Sequence, residues 1–574
     1  MVVTWLLHRR WVRVTLHLLV LVGLLAGLVV TPYAETYFSR GVDPGTNLKP
    51  IPHTDVNPLG VNTFLNEEAD PAKVVRTMDM IAAGGFTFVR QMFAWYEIEP
   101  ERDSYFDPVH NKSGWEKYDR IVDLATERNL DLIARLDKPP SWAREGQPNL
   151  DRFMAGPPND DADYAEFVAA VVNRYRGRIH YIQIWNEPNL EGEWGGQAID
   201  PERFTRLLKA AYTAAKQVDP NIVVLMPGLA PTDQTGPTNL SDLLFLQRMY
   251  NAGAKDYFDV ASAMIYGYGY SPYDRRVGFV RNNFSRVIQT REIMVRNGDA
   301  EKPVWASEYG WVTLPPDWTG EPSPWGKPVT PQQQAEYLYQ GYVRAQREWP
   351  WMGVMCVWNF QWIQPPDAPD QIKNPTRGFS IVNYDYSPQP AYTLLSRARG
   401  VLDRAFTGAY PAGSRLIRHD GRWALRDQDG VARLVPERAG ALARIPFSGS
   451  RFELLVSGSG ADFTVAIDGK KARPRAAELP SNAGSDFDAA SRALVVDGLS
   501  DGPHLAEITA SGGGDSSLAL DGIVVSRHPA ILWAYPWIQR ALVVLIVLNL
   551  ASLGWTVRWK PGMVSSPASR PVAG

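Results

Sequence analysis

The middle of the chain alternates between two hydrophobic patterns. Short, continuous apolar runs, typical of buried parallel strands, are separated by stretches in which apolar residues recur every three or four positions, as on one face of a helix. The runs that predict strands cover residues 59–64, 86–93, 130–137, 179–186, 222–229, 259–267, 303–309 and 353–362. Eight strands separated by helices predict an α/β fold, a (β/α)8 TIM barrel over residues 59–408.

Several of the predicted helices have clear start signals. Asp70-Pro71, Asp200-Pro201 and Thr330-Pro331 each place a capping side chain before a proline at the first helical position. Gln333 follows Thr330 by three residues, which fits a capping box. After Asp200, helical spacing predicts one barrel-facing side, formed by Phe204, Leu207, Leu208 and Ala211.

Beyond about residue 408 the pattern becomes that of an all-β domain. Alternating segments such as Phe452–Val456 and Phe463–Ile467 are separated by turn residues, which predicts a β-sandwich module at 409–527. Within it, Gly498–Gly502 matches the G-x-S-x-G elbow of serine hydrolases. That elbow requires a helix directly afterwards, whereas Pro503 and a strand-like run follow here. We therefore interpret the match as a β-turn.

Each end of the chain carries a long apolar run. At the N-terminus, residues 14–30 follow Arg9, Arg10 and Arg13, a pattern shared by signal peptides and signal anchors. Pro32-Tyr33-Ala34 is a poor cleavage site, which favours an uncleaved anchor. We assign residues 1–34 to a basic cytoplasmic segment and transmembrane anchor. The Pro- and Gly-containing stretch 35–58 is assigned to a tether.

The second apolar run, residues 541–557, is flanked by tryptophans and a tyrosine, as at membrane interfaces. We assign 528–560 to a transmembrane helix and 561–574 to a cytoplasmic tail. Positive charge follows this run at Arg558 and Lys560 and precedes the first run. The positive-inside rule therefore places both termini in the cytoplasm and the middle of the chain on the extracytoplasmic side of the cell membrane.

Composition narrows the classes of ligand. The 574 residues carry a net charge of −3 and show no basic stripe, so we expect no nucleic-acid partner. The 20 Trp and 24 Tyr suit carbohydrate, whose ring faces stack on aromatic side chains. Cys356 lies in an apolar run, as a small buried hydrophobe would. The eight histidines lack metal-ligand spacing, so we predict neither a catalytic metal nor another cofactor.

Two glutamates end strongly apolar strand segments. Glu187 follows the fourth predicted strand in Ile184-Trp185-Asn186-Glu187-Pro188, and Glu308 follows the seventh in Trp305-Ala306-Ser307-Glu308-Tyr309-Gly310-Trp311. Active sites of such barrels lie at the carboxyl ends of the strands. One acidic residue there could be a salt-bridge partner, but two on one barrel indicate a catalytic pair.

These two segments resemble the fourth- and seventh-strand signatures of glycoside hydrolase clan A. Within the clan, their sequence pattern is most similar to that of families 5 and 39. The resemblance covers about residues 55–400. Asn-Glu-Pro alone is a weak motif, but it gains weight at a strand end with a second glutamate downstream. The resemblance implies a retaining mechanism in which Glu187 is the acid/base and Glu308 is the nucleophile.

Four further positions fit the clan pattern. Arg90 resembles the arginine that keeps the nucleophile ionised, Asn186 the residue that bonds the sugar 2-hydroxyl, Tyr266 the tyrosine that bonds the nucleophile, and Trp358 the platform beneath the sugar. A structural ion pair remains an alternative for Arg90, as does a core aromatic role for Tyr266 and Trp358. The clan often has a histidine two residues before this tyrosine, where the chain has Met264.

The expected function is hydrolysis of β-linked oligo- or polysaccharides by double displacement. A non-catalytic glycan-binding membrane protein is one alternative, because a fold does not determine an activity. A transglycosylase that passes the same intermediate to a sugar acceptor is another. The expected partners are a carbohydrate substrate and, through both terminal helices, the membrane.

Overall fold

The computed structural model describes residues 10–45, 49–369, 371–428, 431–458, 463–478, 492–514 and 518–558. The chain divides into two compact units. One consists of the terminal segments, up to Arg40 and from His528 onwards, and the other extends from Gly41 to Arg527. The predicted basic segment before Arg10 and the predicted tail 561–574 lie outside the described residues.

The larger unit contains the predicted barrel. Its strands are β1 (Leu59–Thr63), β2 (Phe88–Ala94), β3 (Asp131–Asp137), β4 (Tyr181–Ile184), β5 (Val223–Leu225), β6 (Ala261–Tyr266), β7 (Val304–Gly310) and β8 (Met352–Val357). They form one parallel sheet in the order β5-β4-β3-β2-β1-β8-β7-β6. Isolated parallel bridges, Leu225–Val260 and Leu229–Ala263, join its two edges and nearly close the barrel. The eight-stranded prediction is confirmed.

A helix follows each barrel strand. These helices are α1 (Pro71–Ala83), α2 (Glu116–Glu127), α3 (Asp161–Arg174), α4 (Pro201–Val218), α5 (Asp242–Asn251), α6 (Val287–Arg296), α7 (Pro331–Glu348) and α8 (Pro390–Leu402). The predicted helix starts are confirmed. Asp70 caps α1, Asp200 caps α4, and Thr330 forms the expected capping box with Gln333 at α7. The predicted inner face of α4 is also buried.

The part of the larger unit beyond the barrel is all β. Its strands are β9 (Gly408–Pro411), β10 (Arg418–His419), β11 (Trp423–Gln428), β12 (Val431–Pro436), β13 (Leu442–Gly449), β14 (Arg451–Ser457), β15 (Phe463–Ile467), β16 (Lys470–Lys471), β17 (Arg475–Glu478), β18 (Arg492–Val496), β19 (Gly502–Ala510) and β20 (Ala519–Ser526). One antiparallel sheet has the order β11-β12-β20-β14-β18-β17, with β9 also beside β20, and the other β10-β13-β19-β15-β16. Apolar side chains from both sheets form a shared core.

Described parts of the segment predicted as a tether, 35–58, form a helix end or contact the barrel. The N-terminal helix, Arg10–Ser39, extends past the predicted boundary at residue 34. Further along, Asp43 donates its backbone N–H to the Glu348 carbonyl oxygen (3.0 Å), and the carbonyl oxygen of His53 accepts from Trp305 Nε1 (2.9 Å). Proline and glycine mark irregular backbone, but at Asp43 and His53 that backbone is hydrogen-bonded to the barrel.

The smaller unit contains two long apolar helices, Arg10–Ser39 and Ala530–Arg558. By length and composition, Trp11–Ser39 and Leu532–Arg558 are each able to cross a membrane, with mean hydropathies of 2.4 and 1.8. Gln539 bonds Glu35 (3.0 Å), whereas Asn549 bonds His17 (3.3 Å). Residue numbers thus rise along one helix as they fall along the other, so the two helices are antiparallel.

Candidate active site

The backbone changes direction abruptly where β4 ends. Trp185 and Glu187 have positive φ angles of 69° and 40°, which non-glycine residues rarely adopt. The turn is held by the Trp185 N–H, which donates to the Leu136 carbonyl oxygen (3.1 Å), and by the Glu187 N–H, which donates to that of Gly228 (3.1 Å). Strained backbone of this kind costs about 1–3 kcal/mol and is concentrated at functional sites. It ends β4 at Ile184, two residues before the predicted end, and places Glu187 at the barrel mouth.

Glu308 lies on β7 and is almost fully buried, with 4% of its surface exposed. Its Oε1 accepts a hydrogen bond from Arg90 Nη1 (2.9 Å) and its Oε2 accepts one from the Tyr266 hydroxyl (2.5 Å). A buried carboxylate needs such donors, because leaving one unpaired is costly. Both oxygens are therefore held in place on β7.

Arg90, at 2% exposure, connects four barrel strands. Besides Glu308, its guanidinium donates to Asn62 Oδ1 on β1 (2.8 Å), to Gln183 Oε1 on β4 (2.6 Å) and to Asn186 Oδ1 just after β4 (2.8 Å). The planar guanidinium presents its N–H groups in a rigid arrangement. These bonds fix the position of Asn186 relative to Glu308.

All six residues proposed from the sequence line one pocket of about 250 Å³ at the carboxyl ends of the strands. The pocket is lined by Asn62, Thr63, Phe64, Glu67, Arg90, Met92, Arg135, Asn186, Glu187, Glu193, Tyr266, Glu308, Trp325 and Trp358. Three larger cavities, of about 450, 650 and 430 Å³, contain none of the six. The fold therefore brings the predicted residues together, while their individual roles stay predictions.

The two central carboxyl groups have different surroundings in the pocket. Burial raises the pKa of Glu187 well above its usual value, and the nearby negative charges of Glu308 and Glu193 act in the same direction. Arg90 and Arg135 oppose that shift without cancelling it. Glu308, by contrast, has an arginine and a phenol as direct donors. The two carboxyl groups therefore differ in their direct hydrogen-bond partners.

The two predicted aromatic residues differ in their surroundings. Tyr266 is buried, and both burial and the charge of Glu308 raise its pKa well above the usual value, so it stays a hydroxyl donor to Glu308. Trp358 is only partly buried and lines the pocket, with its ring edge-to-face against Phe64 at 5.4 Å between centroids. Both residues also pack in an apolar cluster with Met264, Val312 and Phe379, as the alternative of a core aromatic role would require.

Sequence reasoning missed several residues that line this pocket or, in the case of Gln183, bond Arg90 beside it. Asn62, Gln183 and Arg135 are polar side chains within apolar strands, and this interruption is a signal that could have identified them. Trp325 is different, because it lies in the long loop after β7, where no periodicity indicates its position.

The G-x-S-x-G match at Gly498–Gly502 lies in the connection between β18 and β19, and β19 begins at its last residue, where a hydrolase elbow would need a helix. Ser500 does approach a histidine, but His504 Nε2 is closer to the Ser500 carbonyl oxygen (2.9 Å) than to its hydroxyl (3.3 Å). His504 Nδ1 bonds Asp468 (2.7 Å). The histidine thus connects Ser500 and Asp468, which lie in two different loops of the sandwich.

A barrel with paired glutamates at its strand ends indicates a glycoside hydrolase, and comparison supports this class. The model of the cellulase family, glycosyl hydrolase family 5, matches residues 51–310, less than half of the chain but including both glutamates. No curated protein sequence matches the chain.

Three solved structures illustrate the range of similar folds. A family 39 glycoside hydrolase from Bacteroides cellulosilyticus WH2 is 20% identical, with a TM-score of 0.46, over 80% of this chain and 82% of that one. The family 39 enzyme from Xanthomonas axonopodis pv. citri is 16% identical, with a TM-score of 0.42, over 82% and 96%. The endo-beta-1,4-mannanase from Thermotoga petrophila is 14% identical, with a TM-score of 0.43, over 84% and 100%.

Proposed function

We propose that this chain is a membrane-tethered retaining β-glycoside hydrolase with Glu187 as acid/base and Glu308 as nucleophile. The observation that carries the proposal is the asymmetry of the two carboxyl groups in one pocket. Glu187 has a raised pKa, while Glu308 is bonded by Arg90 and Tyr266. A protonated acid and an ionised nucleophile are what double displacement requires.

The mechanism has two steps. In the first, Glu308 attacks the anomeric carbon while Glu187 gives its proton to the leaving oxygen, so the glycosidic bond breaks as the glycosyl–enzyme ester forms. In the second, water gives a proton to Glu187 and its oxygen attacks the same carbon, which releases Glu308. Two inversions yield net retention, and a retaining pair has its carboxyl groups roughly 5–5.5 Å apart.

The neighbouring residues have positioning roles in this proposal. Arg90 and Tyr266 orient and stabilise the Glu308 carboxylate. Asn186 bonds the sugar 2-hydroxyl through its side-chain N–H, since its Oδ1 already accepts from Arg90. Trp358 stacks beneath the reacting sugar, because it is partly exposed within the pocket.

Chemical rescue tests the two roles. Glu308→Ala should lose nearly all turnover, because no covalent intermediate forms. Glu187→Ala should be impaired strongly on natural substrates but less in the first step with an aryl leaving group, which needs little protonation. Azide should restore both variants with opposite stereochemistry. It intercepts the intermediate in Glu187→Ala and gives the β-azide, whereas in Glu308→Ala it attacks directly and gives the inverted product.

Glu193→Gln is the matched control, because Glu193 lines the same pocket but pairs with Lys138 (3.0 Å). This variant should need no azide for turnover. The reverse stereochemical pattern would mean that Glu187 is the nucleophile and Glu308 the acid/base. Inversion by the wild type would reject the mechanism, since an inverting pair lies roughly 6.5–9.5 Å apart to admit water. An inactive wild type would favour a glycan-binding protein, and sugar–sugar products would favour a transglycosylase.

The membrane part of the proposal is supported by the paired terminal helices. At 29 and 27 residues, Trp11–Ser39 and Leu532–Arg558 are about 40 Å long, more than the roughly 30 Å of a hydrocarbon core. Their antiparallel packing supports an arrangement in which Arg10 and Arg558 lie on the same side of the membrane. With arginines at both outer ends, that side is the cytoplasm, and Gly41–Arg527 lies outside it.

A further inference from the structure

A second cavity, of about 650 Å³, lies beside the candidate active site. It is built by the loops that follow β7 and β8, from Thr313 to Trp318 and from Trp362 to Gln389. Cavities that bind small molecules are typically about 300–1,000 Å³. The proposed reaction uses none of the residues that line it.

Three aromatic side chains line this cavity: Trp318, Trp362 and Tyr384. Both tryptophan rings are only partly buried, and Tyr384 is 38% exposed. Trp318 Nε1 donates to the Glu321 carbonyl oxygen (2.9 Å), and Trp362 Nε1 donates to Gln371 Oε1 (2.8 Å). These bonds fix the ring planes while leaving part of each ring accessible.

Polar groups lie around the same aromatic residues. Gln364, Asn383 and Asp385 are exposed, and Arg377 is partly exposed with one N–H donated to the Pro366 carbonyl oxygen (2.7 Å). Aromatic faces bordered by amide, carboxylate and guanidinium groups match a pyranose ring, which has apolar faces and hydroxyls at its edge.

Three aromatic rings in a row, Trp358, Phe64 and Trp362, connect the candidate active site with the second cavity. Trp358 lines the first pocket and lies 5.4 Å from Phe64, and Phe64 lies 5.1 Å from Trp362 in the second cavity. One phenyl ring therefore separates the two spaces. A saccharide that occupies the first pocket can extend past Phe64 into the second cavity.

The position of the second cavity on the barrel indicates which part of the substrate it binds. Glu187 follows β4, and the acid lies on the side of the departing group. β8 is four strands from β4 in an eight-stranded barrel, and is therefore opposite to it. A sugar in the cavity over β7 and β8 lies away from the leaving group. It therefore belongs to the glycone, the part of the substrate that stays covalently bound to Glu308 in the intermediate.

Resting on the proposed function, we infer that Trp318, Trp362 and Tyr384 form a distal glycone subsite, so that the substrate is an oligo- or polysaccharide with at least two sugars on the non-leaving side. The covalent intermediate then carries an oligosaccharide, and the enzyme does not act by removing single terminal sugars.

Pairs of aryl β-glycosides test this inference on the detergent-solubilised full chain. The probes are nitrophenyl β-glucoside and β-cellobioside, β-mannoside and β-mannobioside, and β-xyloside and β-xylobioside, with nitrophenol release as the readout. For at least one pair, kcat/KM on the disaccharide should exceed that on the monosaccharide by about tenfold, as expected for one added stacking contact. Trp318→Ala combined with Tyr384→Ala should reduce that ratio to nearly one and leave the monosaccharide rate unchanged.

The control is Tyr273→Ala, because Tyr273 is similarly exposed, at 45% against 38% for Tyr384, but lies outside both cavities. It should keep the ratio of the wild type. A ratio that persists in the Trp318/Tyr384 variant overturns the inference, as does a parallel loss on both substrates, which is the result of general destabilisation. If the wild type hydrolyses the monosaccharide probes and the second sugar does not increase kcat/KM, the inference is overturned but the proposed function is not. Inactivity on every probe overturns the proposed function as well.

Discussion

Replacing Arg90 by methionine is the sharpest single test of how the site is held together. The change removes the charge and all four hydrogen bonds, to Glu308, Asn62, Gln183 and Asn186, but keeps an apolar stem. Glu308 would remain at 4% exposure with only Tyr266 as a direct partner. The variant therefore leaves a buried carboxylate without its cation.

Breaking a buried ion pair on one side costs about 3–5 kcal/mol, because the remaining charge is uncompensated. We expect the free energy of unfolding to fall by that amount. At about 2 °C per kcal/mol for a domain of a few hundred residues, Tm should fall by about 6–10 °C. Adding Glu308→Gln should recover part of the loss, since the uncompensated charge is then gone.

Arg344→Met is the matched control. Arg344 is also buried, donates to Glu348 (3.0 Å) on the same helix, α7, and lies outside the candidate pocket. Glu348 keeps a charged partner in Arg275, whereas Glu308 keeps only the neutral Tyr266 as a direct partner. Because Glu348 stays compensated, we expect thermal unfolding to show a smaller loss for Arg344→Met than for Arg90→Met. Turnover well below both Tm values should be nearly normal in Arg344→Met and reduced by at least about a hundredfold in Arg90→Met, on the scale of one lost electrostatic contact.

Two outcomes would contradict this reasoning. If Arg90→Met lost stability but kept normal turnover, Arg90 would be a structural ion-pair partner and not part of the site. If it kept the stability of the wild type, the buried-charge argument itself would be wrong.

Three further predictions concern pH, metal and topology. Because the pKa of Glu187 is raised in the folded state, kcat/KM on an unactivated disaccharide should fall as pH rises through that pKa, where the acid becomes deprotonated. The same shift means that the wild type loses stability as pH rises from the ordinary carboxyl pKa up to the raised pKa of folded Glu187. Glu187→Gln should therefore have a higher Tm than the wild type above neutral pH, and the two Tm values should converge in acid. Equal Tm values at every pH would contradict the raised pKa. Exhaustive chelation should leave activity intact, because the proposed steps use only carboxylates and water. In addition, none of the described ranges holds a cluster of three or more His, Cys, Asp or Glu side chains suited to a metal. A loss of activity that added metal reverses would reject this chemistry. A reporter fused to the C-terminus should be active only in the cytoplasm, and activity outside would overturn the topology.

The sequence alone was sufficient for features that depend on local chemistry. The barrel strands follow from apolar runs, and the starts of α1, α4 and α7 follow from a capping residue before a proline. Glu187 and Glu308 could be identified because a charged residue at the end of an apolar strand stands out. Their roles, and the assigned domain boundaries, stay predictions. The tether shows the limit of composition, because proline and glycine indicate irregular backbone without indicating whether it packs.

Only the tertiary structure decided which distant residues meet. Arg90 on β2 contacts Glu308 on β7, 218 positions later, and Phe64 after β1 meets Trp362 after β8. Such contacts arise when the sheet closes and brings β1 beside β8, a non-local event that leaves no periodicity in either segment. The burial that raises the pKa of Glu187 is equally collective, since it is produced by every element around the pocket. A local pattern predicts the strand that carries a residue, but closure of the barrel determines its neighbours.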